Sequence, residues 1–209
     1  YPEAYYLLGI NELLFWLLWD GDKESSRSKA LHYAEMAEAL DPGDPETFEL
    51  KGFAHIKHGN YPESMEAFQK ALAIDPNFSK VHAAIADWHF AMGNRKEALA
   101  SAERAVSLEA FAPGWYFEHL GRIQLFNGMV EEAIATLRRP ETYGMFSGRS
   151  LAAALASAGR VDEAREEARL FMLRQPHWRI RDWIETEFFA HKEDAELWFR
   201  LYESAGLPP

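Results

Sequence analysis

One phrase occurs twice, 34 residues apart: Ala39-Leu40-Asp41-Pro42 returns as Ala73-Ile74-Asp75-Pro76. Gly59 returns as Gly93 after the same 34 residues, then as Gly128 after 35 and as Gly159 after 31. This period constrains the fold more than composition does, because it is the size of one helical unit that cannot bury its apolar face alone. Such units stack, each on its neighbour, and expose an extended surface rather than a closed cavity. Function is therefore to be sought in recognition along that surface.

Within each period the apolar spacing is helical. Phe48, Gly52 and His55 share one face, and after a turn at Gly59-Asn60 the residues Ser64, Phe68 and Ala71 form a facing stripe. Pro76 ends the second helix, since it cannot donate a hydrogen bond and crowds the residue before it. The pattern recurs in His82, Ala86, His89, Gly93, Ala98, Ala102 and Ala105, then in Phe117, Gly121, Gly128, Ala133 and Leu137, and again in Leu151, Ala152, Gly159, Ala164, Ala168 and Pro176. A looser first unit runs through Leu14, Leu18, Ala30, Ala34, Ala37 and Pro42. The chain reads as one all-α domain, 1–209, of about five helix hairpins (5–42, 45–76, 79–110, 114–140 and 145–176) with a cap at 177–209. Pro140 should end its helix a turn early, and the link after it is the expected kink. In the cap, Trp178 to Phe189 reads as one helix and Asp194 as the N-cap of a last one through Leu197, Phe199 and Leu201.

Charge narrows the function. A net charge of −11 and a pI near 5.2 disfavour nucleic acid or an anionic membrane as partner, because phosphate contacts need clustered Lys and Arg. There is no cysteine for a disulfide or a thiolate nucleophile. Leu7 to Trp19 is too short to span a bilayer and lacks the flanks of a secretory signal, giving a cytoplasmic expectation. The chain starts at Tyr1 inside a helical pattern, which reads as a piece of a longer polypeptide.

The repeated phrases, extended to Ala39-Leu40-Asp41-Pro42-Gly43-Asp44-Pro45 and Ala71-Leu72-Ala73-Ile74-Asp75-Pro76-Asn77-Phe78, resemble the tetratricopeptide repeat (TPR) family. With the ending Ala205-Gly206-Leu207-Pro208, the whole chain is similar to the C-terminal TPR regions of bacterial class III adenylate or guanylate cyclases and winged-helix regulators. The resemblance implies a right-handed superhelical solenoid that binds peptides or protein segments on its concave face, without catalysis of its own. It places Glu49, Phe53, Lys57, Asp87, Phe90, Trp115, Glu118, Arg122, Phe126 and Arg149 along that groove, with Glu46, Lys80 and Phe146 beside them. An aromatic track flanked mainly by acids suits a ligand with apolar anchors and basic character. The Lys and Asn that grip a carboxylate in co-chaperone TPRs are replaced here by Glu49 and Phe53, Ala83 and Asp87, Glu118 and Arg122.

Other chemistries have thinner support. His55, His58 and His89 could approach a metal, yet their places suit core packing better. No catalytic triad, P-loop or dinucleotide fingerprint is visible, and no cofactor is expected. Leu13 to Trp19 is apolar all round, so the first helix should be covered on both sides, by a preceding domain or by self-association through Trp16 and Trp19.

Overall fold

A computed structural model describes residues 1–19, 22–57, 59–142, 147–187 and 189–209, without the side chains of 15–19, 23, 57 and 186. Trp16, Trp19, Lys57, His58 and Phe146 thus lie outside the described residues or side chains. Helix follows helix in the order α1 (Pro2–Trp19), α2 (Lys23–Leu40), α3 (Pro45–Lys57), α4 (Tyr61–Ile74), α5 (Ser79–Ala91), α6 (Arg95–Leu108), α7 (Gly114–Phe126), α8 (Val130–Leu137), α9 (Ser147–Ser157), α10 (Val161–Arg174), α11 (Ile180–Thr186) and α12 (Lys192–Ser204). The described residues contain no strand. They form two compact units, Tyr1–Trp88 and His89–Pro209, whereas the sequence reads as one uninterrupted array.

The hairpins α3–α4, α5–α6, α7–α8 and α9–α10 close in the same way. The first helix ends on a glycine with φ between 73° and 78°, at Gly59, Gly93, Gly128 and Gly159. A side chain there would be strained. The amide of the next residue reaches back to the helix, as Asn60 N does to His55 O at 2.9 Å. α2 and α4 end on aspartates that fold their own exits: Asp41 Oδ1 accepts from Gly43 N and Asp75 Oδ1 from Asn77 N, each at 2.9 Å. These are Asx turns, which explains the recurring Asp-Pro phrase in physical terms.

In the first unit, α3 and α4 touch because Gly52 has no side chain. A Cβ there would lie 2.2 Å from Phe68 Cε1. Ser64 Oγ donates to Gly52 O at 2.8 Å across the same contact. Phe48, Phe68, Ala71, Val81, Ala84 and Ile85 form the core beneath it. α1 adds Tyr6 against Ala34 and Leu50, but its opposite side leaves Leu7, Leu8 and Leu14 exposed. No described helix is long and apolar enough to cross a membrane.

In the second unit, α8 stops at Leu137 and a 3-10 turn, Pro140–Thr142, follows, as the position of Pro140 requires. Gly114 sits against that turn, where a Cβ would meet Glu141 O at 1.9 Å. The cap differs from expectation. Its first helix is the short α11, and α12 starts from His191, which makes no side-chain cap hydrogen bond. Asp194 lies within the first turn instead and pairs with Arg95 at 3.1 Å. The ending closes the cap: Gly206 takes φ 87°, Leu207 is buried, and Pro208 O accepts from Ile180 N at 3.0 Å.

Candidate partner-binding surfaces

In the first unit, Glu46, Glu49 and Phe53 lie at i, i+3 and i+7 on α3 and therefore share a face. Tyr6 Oη donates to Glu49 Oε2 at 3.0 Å, and Lys80 Nζ lies 3.3 Å from Tyr6 Oη and 3.1 Å from Glu46 Oε1. Glu49 is buried, and burial pushes its carboxyl up to about 7 although Lys80 and Tyr6 pull the other way. Burial, then the charge of Glu49, pushes the Tyr6 hydroxyl above its ordinary range. Glu46 and Lys80 stay partly accessible, and Phe53 is half-buried with its ring edge-on to Phe68 at 5.8 Å. The face is acidic and aromatic, with Lys80 inside it. Asp87 is half-buried.

The second unit treats its groove positions differently. Phe90 and Phe126 are 3% and 1% exposed, with ring centroids 4.9 Å apart. The Arg122 guanidinium stacks 4.6 Å above the Phe90 ring and lies 3.9 Å from Glu187. Glu118 accepts from Ser150 Oγ at 2.9 Å. Burial alone would raise the Glu118 carboxyl, but Arg122, His119 and Arg149 outweigh it and hold the group below its ordinary range. Arg149 lies 5.3 Å from the Trp183 ring. Trp115 is half-buried, edge-on to Tyr116 and His119.

The TPR resemblance puts Phe90 and Phe126 on an open track. Both face the chain's own C-terminal segment instead. Trp198 packs 5.8 Å from Phe90 and 6.3 Å from Phe126, the latter nearly parallel, while Phe189 lies 6.1 Å from Phe90. Arg95 completes the seal: it donates to Phe126 O at 2.8 Å, pairs with Asp194 and covers the Phe126 ring at 4.0 Å. Sequence spacing does not single out Tyr6, Arg95, Trp183, Trp198 or Tyr202. Of these, only Trp198 and Tyr202 carry a usable signal, an i, i+4 pair that marks a buried stripe.

The described residues contain no group of three His, Asp or Glu able to hold a metal. The tetratricopeptide repeat family matches residues 45–78, the hairpin of α3 and α4 with the turn after it. That hairpin is a tetratricopeptide repeat. A 72-residue stretch, 34% of this chain, is 39% identical to a U-box domain-containing protein 70 of Oryza sativa subsp. japonica, of whose length it spans 9%. Solved TPR structures are similar over far more. Against TTC0263, a thermophilic TPR protein of Thermus thermophilus, the TM-score is 0.69 with 18% identity over 99% of this chain and 100% of that one. Against YrrB, a TPR protein with an unusual peptide-binding site, it is 0.58 with 18% identity over 82% and 90%. At such identity these likenesses concern fold alone.

Proposed function

We propose that this TPR chain is a non-catalytic interaction module that docks a peptide or protein segment on the α3 face of its first unit. The observation that carries this is the pairing of a half-exposed Phe53 with two carboxylates, Glu46 and Glu49, served by Lys80. Such a face suits a ligand with one apolar anchor and a basic side chain. In the second unit Phe90, Glu118, Arg122, Phe126 and Arg149 are buried, which leaves only the half-buried Trp115 of its groove positions within reach in this conformation. Peptides selected by display on the intact chain test the reading. They should be enriched in Lys or Arg near an apolar residue, and Phe53→Ala or Glu46→Lys should each weaken them about tenfold or more. Selected peptides that bind both variants as well as the parent would refute it.

Two further observations bear on other partners. Leu7, Leu8 and Leu14 present an uncharged stripe on α1, which favours self-association through that helix; light scattering should then show a dimer that Leu7→Lys with Leu14→Lys dissolves. The ending Ala205 to Pro208, which carries the resemblance to cyclases and winged-helix regulators, is the lock of the C-terminal cap. A regulatory region of such a signalling protein is the alternative reading, and the reading frame ahead of Tyr1 decides it.

A further inference from the structure

α12 lies on the second unit as a ligand would. Asp194, Trp198 and Tyr202 stand at i, i+4 and i+8 and so form one stripe. Asp194 meets Arg95, Trp198 packs over the touching rings of Phe90 and Phe126, and Tyr202 packs edge-on to Trp183 at 5.0 Å. Glu187, just ahead of this helix, faces Arg122. The arginines here, Arg95, Arg122 and Arg149, come from α6, α7 and α9, while the C-terminal segment supplies the acids and the large rings. The receptor is basic and aromatic; its occupant is acidic and aromatic.

We propose that this surface is a second binding site, at present filled by its own stand-in, for a partner's amphipathic helix in which an acidic residue is followed four and eight places later by aromatic ones. Two features make α12 an imperfect occupant. Its N-terminus has no side-chain cap, leaving first-turn amides without that support. The Trp198 indole Nε1 is buried with no acceptor among the described residues, which penalises the resident helix. A ligand that lacks that donor and brings its own cap escapes both costs. This partner has the opposite charge preference to the one expected on the first unit, so the two proposals fail independently.

The stand-in sequence is itself the probe. A fluorescent peptide of residues 190–207, titrated by anisotropy, should bind the full chain carrying Trp198→Ala at least about tenfold more tightly than the parent, because the resident helix then competes poorly. The same peptide with its three stripe residues changed to alanine should not bind. Absence of saturable binding to the folded variant overturns the proposal. If Trp198→Ala fails to fold, Asp194→Ala takes its place. Amide exchange of the parent chain provides an independent test: α12 opening well before α7 supports displacement, and α12 opening only together with α7 overturns it.

Discussion

Replacing Glu49 by glutamine should stabilise the first unit above neutral pH and change little near pH 5. The carboxyl is 3% exposed, accepts one hydrogen bond from Tyr6, and is pushed up to about 7 from an ordinary 4.5, with burial the leading cause. The folded chain therefore holds this proton more tightly than the unfolded chain. Folding keeps its full benefit below about 4.5 and loses it progressively as the pH rises through about 7. The gap of 7 − 4.5 = 2.5 corresponds to about 3 kcal/mol of lost stability at pH 8, and to about 1 kcal/mol or less at pH 5. Glutamine keeps the acceptor for Tyr6 and removes the charge, so it should recover most of that loss at pH 8.

Two measurements check this. Carbon-13 NMR of the glutamate carboxyls should show one group titrating near neutrality that vanishes in Glu49→Gln. Amide exchange across α3, which reads the first unit even if the two units unfold separately, should slow at pH 8 in the variant once intrinsic rates are corrected. A Glu49 carboxyl titrating near 4.5, or a variant no more protected than the parent at pH 8, would refute the reasoning. Tyr6→Phe provides the converse, since losing the donor should move the same resonance higher still.

The second unit makes its own predictions. Phe90→Ala should cost about 3–5 kcal/mol of stability in urea unfolding, because the ring is 3% exposed and packed under Trp198. The TPR resemblance instead casts that residue as a groove anchor whose loss leaves the helices intact. Gly114→Ala should destabilise more than Gly121→Ala by thermal melting: a Cβ at the former meets the Glu141 carbonyl at 1.9 Å, whereas at the latter it meets the movable Leu137 Cγ at 2.5 Å.

The hairpins were legible in the sequence because each is decided within about a dozen residues. A glycine that accepts positive φ, an aspartate that turns the chain and alanines that admit a neighbouring helix are all local requirements, and local requirements repeat. Pro140 shows the same logic in reverse: one residue that cannot donate shortens α8 where its position requires. The face of α3 was also legible: helical spacing aligns Glu46, Glu49 and Phe53, and the TPR resemblance turns them inward. Tyr6 was not, because its hydroxyl reaches Glu49 from 43 positions away.

What periodicity could not reveal is which groove positions a cap would cover. Arg95 and Asp194 are 99 positions apart and belong to no repeat relation, so nothing in a 34-residue period predicts their meeting. The TPR resemblance turns both Phe53 and Phe90 inward, yet one remains half-buried while the other is sealed by rings from a non-repeating segment. The difference lies in chemistry as well as coverage. The first unit gathers Glu46 and Glu49 around Lys80, and the second gathers Arg95, Arg122 and Arg149 around an acidic, aromatic tail. Groove positions inherited from a repeat therefore indicate where a ligand can lie, and the charges on the flanking helices indicate which ligand; the two proposed sites carry charges of opposite sign.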